Sequence, residues 1–218
     1  MSDVAATPAS EALESSSLVE LAVLRLTQEI LSGRSDPGER LVEEQITRRL
    51  GISRAPLREA LRLLAQRGLV EHVPRRGVRV ATLSDRDVHE LYAVRDVLEH
   101  HAVGALPADA DLTGLRAALE VMRVADTSGD RLQVAEAHRR FHVALVALGG
   151  NRQLTRVYES ILERLQLYMA VNLRREAERA EPHDGVHRHQ RLFEAVLHGD
   201  RPAVLAALTA HGARSYLD

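Results

Sequence analysis

Apolar residues return every three or four positions along most of this chain, and strict alternation appears only in one short stretch. Leu18 to Ser32 carries Leu21, Leu24, Thr27 and Leu31 on one side of a predicted helix that Gly33 ends. The cluster Ser35-Asp36-Pro37-Gly38 is a turn. Val42 to Leu50 reads as a short helix closed by Gly51 in the left-handed conformation. Ser53 is placed to cap the next helix through its hydroxyl, with Pro56 in the first turn, where a missing N–H breaks no hydrogen bond. That helix runs through Leu57, Ala60, Leu61 and Leu64 to Gly68. Leu69–Val73 and Gly77–Val80 then alternate around Pro74-Arg75-Arg76, which predicts a hairpin.

From Ser84 onward the period is helical throughout. Ser84-Asp85-Arg86-Asp87 has the form of a capping box with Asp in the Glu position, opening a helix to about Ala105. Helical patterns follow over Leu112–Ala125, Arg131–Leu148, Gln153–Arg179, Asp184–His198 and Arg201–Ser215, separated by Gly, Pro and Asn. Short connections between six helices predict an antiparallel bundle. The fold class is therefore mostly α. It comprises a disordered tail over residues 1–17, a winged helix-turn-helix over 18–82 and an all-helical domain over 83–218.

Composition narrows the chemistry. The 218 residues contain no cysteine, which excludes disulfides, thiolate zinc sites and cysteine nucleophiles. No apolar run approaches the roughly 18 residues of a transmembrane helix. The first 17 residues lack the basic-then-apolar order of a signal peptide, so the expectation is a cytoplasmic protein without membrane partners. The formal net charge is −2, yet between Gln45 and Val80 nine arginines face only Glu59 and Glu71. That local surplus marks a basic patch rather than a uniformly basic chain.

Ser53 at the cap puts Arg54 in the first turn of the second helix of the pair, with Arg58 one turn on. N-terminal residues of a recognition helix reach base edges in the major groove, where arginine forks onto guanine O6 and N7. Arg62 continues that face towards phosphate, and Arg75, Arg76 and Gly77 form the tip of a wing that meets the sugar-phosphate wall. Residues 51–69 follow the pattern G-[IV]-S-R-x-P-[LV]-R-E-A-L-x-x-L-x-x-x-G-L without interruption. In this the chain resembles the GntR superfamily of bacterial winged-helix regulators. The resemblance implies that Ser53, Arg54, Arg58 and the Arg75–Gly77 wing contact double-stranded DNA. Glu44 stands where some members carry a contacting arginine, so the contact set is not extended upstream.

Four histidines lie on apolar stripes in the helical domain. His138 and His142 are one turn apart beside Phe141 and Leu145, His189 aligns with Leu192, Phe193 and Val196, and His211 aligns with Val204 and Leu208. Inward-facing imidazoles need hydrogen bonds or a ligand, and helix-spaced pairs converge on one point as metal ligands do. Separately satisfied core histidines are the alternative, and His183, His187 and His198 show that histidine is common in this region. Arg95 occupies the apolar side of its helix between Leu91 and Leu98. A buried guanidinium needs an anion, supplied either by Glu99 one turn away or by the carboxylate of a bound effector.

An all-helical domain after such a winged helix resembles the FadR-type subfamily with its FCD ligand-binding domain. Metal-binding members carry D-x-x-x-H and then a histidine on each of the last two helices, which implies a divalent-metal site at His142, His189 and His211. His138 departs from the aspartate of that pattern and makes the site all-nitrogen, which favours zinc or nickel over manganese. The resemblance further implies a homodimeric repressor that binds a short palindromic operator and is released by an organic or sugar acid. Two rival readings remain at this level. A metal-dependent enzyme would use the histidine cluster, although no H-E-x-x-H pairing supplies a base. A non-specific DNA-binding protein would bind operator and random duplex alike.

Overall fold

In the computed structural model, residues 9–128, 131–177 and 185–211 are described, with side chains over 17–128, 133–168 and 186–209. The chain divides between Thr82 and Leu83 into two compact units.

The first unit comprises α1 (Ala9–Leu31), β1 (Arg40–Leu41), α2 (Glu43–Leu50), α3 (Arg54–Gln66), β2 (Val70–Val73) and β3 (Gly77–Val80). Its antiparallel sheet has the order β1-β3-β2. The two-residue β1 escaped the period-2 search because alternation over two positions carries no signal. It is recognisable only through its pairing, Arg40 with Arg79 and Leu41 with Val78.

α3 sorts its residues cleanly by face. Leu57, Ala60, Leu61 and Leu64 are buried, whereas Arg54, Arg58 and Arg62 are exposed on the opposite side. Gly51 closes α2 at φ 66, a left-handed conformation that glycine adopts without steric cost.

Two expectations for α1 need correction. α1 begins at Ala9, inside the stretch expected to be a tail, because Ala-Ser-Glu-Ala-Leu-Glu is composed of residues that accept a helix. Its buried stripe is also displaced by about one position. Ala22, Leu26, Ile30 and Leu31 are buried, while Leu21 and Leu24 are 57% and 56% exposed and Thr27 is half-buried. A leucine-rich helix offers two apolar stripes, and the one facing α3 won. Its buried Glu29 pairs with Arg25 at 3.5 Å and with Arg49 of α2, so that face tolerates an acid.

The second unit comprises α4 (Asp85–Gly104), α5 (Thr113–Ser128), α6 (Arg131–Ala147), α7 (Arg152–Ala177), α8 (Gly185–Leu197) and α9 (Arg201–His211). The capping box is present: the Ser84 hydroxyl accepts from the Asp87 N–H and the Asp87 carboxylate accepts from the Ser84 N–H. The apolar interior has two parts. Leu115, Leu119, Met122, Phe141, Leu145, Leu192, Phe193, Val204 and Leu208 join α5, α6, α8 and α9. Val88, Leu91, Tyr92, Val146, Tyr158, Ile161, Leu162 and Leu165 join α4, α6 and α7. α6 serves both, with Phe141 and Leu145 in one part and Val146 in the other. His142 falls on the seam between those faces.

Candidate functional site

The first unit presents an arginine face. Ser53 takes the N-cap position of α3 with extended backbone, but its hydroxyl makes no cap bond, which corrects the expectation. The reason is local: the third helical position is Pro56, which has no N–H to donate. The Ser53 side chain is left exposed beside Arg54. Arg58 reaches back to α2, its Nε donating to Glu43 Oε1 and Oε2 at 3.2 and 3.0 Å. Arg62 pairs with Glu59 at 2.6 Å, and Arg79 with Glu71 at 2.8 Å. Arg54, Arg75 and Arg76 make no ion pair among the described residues.

The wing turn is tight. The Arg76 N–H donates to the Val73 carbonyl at 3.0 Å, Arg75 sits in the left-handed region at φ 62, and Gly77 follows at φ 88. Pro74 pre-sets the first corner, and Gly77 is there for its positive φ. A Cβ at Gly77 would meet the Arg40 guanidinium only at an ordinary 3.9 Å, so close approach within the fold does not require it. Sequence reasoning missed Glu43 and Arg40. Both flank the arginine face through tertiary contacts that spacing along one helix cannot signal.

The second unit holds a buried polar cluster. His138, His142 and His189 are 6%, 0% and 1% exposed, and one potential ligand atom from each lies within 4.8 Å of the others. Ring centroids are 4.6 Å apart for His138 and His142, 4.9 Å for His138 and His189, and 5.2 Å for His142 and His189. Nε2 of His189 is 3.2 Å from Nε2 of His142. Phe141 stands edge-on to His189 at 5.0 Å and walls the cluster with apolar surface. Burial, the Arg95 cation and His189 together hold the His142 imidazole well below the usual histidine range, so at neutral pH it is uncharged and has a lone pair to offer. The donor set suits a divalent ion. Tetrahedral nitrogen ligation at about 2.0–2.1 Å places ligand atoms about 3.4 Å apart, close to the His142–His189 separation. The fourth expected ligand, His211, closes α9, and its side chain lies outside the described residues. His183 also lies outside them, and His187 and His198 are exposed.

Beside the imidazoles lies a buried ion pair. Arg95 and Glu99 are each 2% exposed, and the Arg95 Nε donates to Glu99 Oε1 at 3.1 Å. Burial works against the Arg95 charge, but Glu99 and the phenols of Tyr158 and Tyr92 outweigh it and keep the guanidinium ionised. The Tyr158 hydroxyl donates to the same Glu99 oxygen, and burial with that carboxylate pushes its pKa well above the usual phenol range. Of the two anions weighed for Arg95, the fold supplies Glu99. Sequence reasoning missed Tyr158, whose apolar neighbours on α7 gave it the pattern of a plain core residue.

A winged helix with an exposed arginine face, followed by an all-helical unit, is the architecture of a DNA-binding transcriptional regulator. Residues 18–80 match the model of bacterial regulatory proteins of the gntR family, and residues 90–214 match the FCD domain. The chain belongs to the GntR family of transcriptional regulators and carries an FCD domain. It is 32% identical to the HTH-type transcriptional regulator YdhC of Bacillus subtilis (strain 168), over 86% of this chain and 84% of that one. It is 26% identical to the gluconate operon transcriptional repressor of Bacillus licheniformis, over 84% and 77%. A solved GntR regulator from Rhodococcus sp. RHA1 superposes with a TM-score of 0.83 at 28% identity, covering 89% of this chain and 93% of that one. Among the described residues, no helix is long and apolar enough to cross a membrane.

Proposed function

We propose that this chain is a cytoplasmic repressor that binds a short palindromic operator as a homodimer and is released by a small carboxylate metabolite. The DNA contacts are Ser53, Arg54, Arg58 and Arg62 of α3 and its cap, with Arg75, Arg76 and Gly77 of the wing. Arg54 and Arg58, in the first two turns of α3, are placed for base edges, and Arg62 for phosphate. A palindrome matches the two-fold symmetry of a dimer. The repressing sign is supported by the gluconate operon repressor among the relatives.

The observation that carries the sensing half is the buried cluster of three imidazoles beside a neutralised ion pair. His138, His142 and His189, with His211, would hold one divalent ion, zinc or nickel given an all-nitrogen donor set. Bound there by four imidazoles, the ion would take a carboxylate oxygen by expanding beyond four-coordination. The charges favour an anionic effector. Arg95 and Glu99 cancel, imidazoles ligate a metal only as neutral rings, and a divalent cation would leave the buried site two charges positive. A carboxylate reduces that excess, and Arg95, whose Nη2 faces His142 at 3.1 Å, is placed to meet it. Organic and sugar acids are the matching class.

Metal content of untagged protein tests the sensing half, measured beside His142→Ala. The expected result is about one zinc or nickel per chain, lost in the variant. Little metal in either, even after reloading, removes the metal from this reading. Titrating operator DNA against a panel of organic and sugar acids then tests release. Equal affinity for operator and random duplex would remove sequence-specific recognition, and a monomer by analytical ultracentrifugation would remove the dimer.

A further inference from the structure

The pairing register of the small sheet sets two arginines directly opposite each other, Arg40 of β1 and Arg79 of β3. Side chains at such positions are rooted about 5 Å apart on one face, and like charges there repel. The fold neutralises only one of the two. Arg79 Nε donates to Glu71 Oε1 at 2.8 Å, whereas Arg40 is exposed and makes no ion pair with a described residue. The acids beside it are engaged elsewhere: the Glu39 carboxylate accepts from the Asp36 N–H at 2.8 Å, and Glu71 holds Arg79. Gly77 lies two residues before Arg79 and so on the same face of β3. A Cβ added there would stand 3.9 Å from Arg40 Nε and 4.0 Å from its Nη2. The Arg40 guanidinium therefore lies over the glycine that closes the wing turn, next in the chain to Arg75 and Arg76.

We propose that Arg40 is a DNA-phosphate contact, a further arginine of the wing supplied from β1 rather than from the turn, with Gly77 as the seat of its guanidinium. A planar fork of donors matches a phosphate, and an anion placed among Arg40, Arg75 and Arg76 relieves the repulsion that the sheet leaves uncompensated. Phosphate, rather than a base edge, is the partner because this arginine stands on the sheet beside the wing and not on α3. Such a contact fixes the position of the protein on the duplex and carries no sequence information. This inference rests on the reading proposed above, that the wing meets DNA.

A mixed-sequence duplex tests this without knowledge of the operator. Its affinity, followed by fluorescence anisotropy over a salt series, gives a slope of log K against log salt that counts phosphate contacts at about 0.9 each. Arg40→Met keeps an apolar stem over Gly77 and removes the charge. It is expected to lower that slope by about 0.9 while melting no lower than the wild type. Arg40→Lys keeps the charge and is expected to keep the wild-type slope. Arg76→Ala, measured alongside, reports on the wing itself. If Arg76→Ala lowers the slope and Arg40→Met does not, the wing reading stands and the role of Arg40 is overturned. A weaker affinity for Arg40→Met at unchanged slope also overturns it, because Arg40 would then act by shaping the wing. If neither variant moves the slope, the wing and Arg40 leave the contact set together.

Discussion

Arg58 and Arg95 each pair with a glutamate at nearly the same distance, 3.0 and 3.1 Å, yet the two pairs have opposite consequences. The Arg58–Glu43 side chains are 65% and 32% exposed, and those of Arg95 and Glu99 are 2% and 3% exposed. Water screens the first pair, so its rupture costs little, and under the proposed function Arg58 would exchange Glu43 for DNA. The second pair lies where an unpartnered charge has nowhere to go. In the first unit Arg58, Arg62 and Arg79 rest on surface acids whose hold on them is weak. Among the described residues of the helical unit Arg95 is the one buried arginine, and it lies inside the polar cluster.

The largest expected effect follows from the buried pair. Arg95→Ala should destabilise the second unit by about 3–5 kcal/mol, because it strands Glu99. Replacing both residues with apolar ones of similar volume, Arg95→Met with Glu99→Leu, should recover most of that loss. Urea denaturation of the three proteins measures it, and a loss below about 1 kcal/mol for Arg95→Ala would erase the contrast with Arg58.

On the exposed side the effect moves from stability to binding. Arg54→Ala and Arg58→Ala should each cost roughly 1–3 kcal/mol at a specific operator and much less on random duplex. Fluorescence anisotropy with both duplexes separates base readout from phosphate contact, since equal losses would reassign these arginines to phosphate. Thermal stability should stay near wild type for Arg58→Ala, whose only named partner is a surface acid.

At the wing tip the two quantities should separate in sign. Arg75 adopts φ 62 without being glycine, a conformation that costs on the order of 1 kcal/mol. Arg75→Gly should therefore stabilise the first unit by about that amount while lowering the salt dependence of DNA binding by about one phosphate contact. A gain in stability with no change in salt slope would leave the wing as a structural turn only.

How legible these regions were in the sequence follows the same division. The recognition helix was readable because its chemistry lies within one element: Leu57, Ala60, Leu61 and Leu64 repeat on one face and arginines on the other. The convergence of His138 and His142 was readable for the same reason, one turn of one helix. His189 needed the family resemblance to join them, because which face of α8 meets α6 is decided by packing. The convergence of Arg95, His142 and Tyr158 around Glu99 was not readable, since His142 and Tyr158 lie far from it in the chain, Tyr158 at 59 positions. α1 was misread because two leucine stripes compete there, and only α3 decides between them.

The smallest expected effect compares two serines that look alike in the sequence. Ser53 and Ser84 both take the extended N-cap position of a helix. Ser84 finds an N–H at the third helical residue, Asp87, and closes a reciprocal box. Ser53 finds Pro56 there and caps nothing through its side chain. Ser84→Ala should therefore cost about 1 kcal/mol of stability, while Ser53→Ala should cost only a few tenths. Operator affinity should show the reverse, with Ser53→Ala weakening binding and Ser84→Ala leaving it unchanged. The hydroxyl of Ser53 would then be kept at this position for phosphate rather than for the helix, an assignment to be withdrawn if Ser53→Ala destabilises the fold as much as Ser84→Ala does.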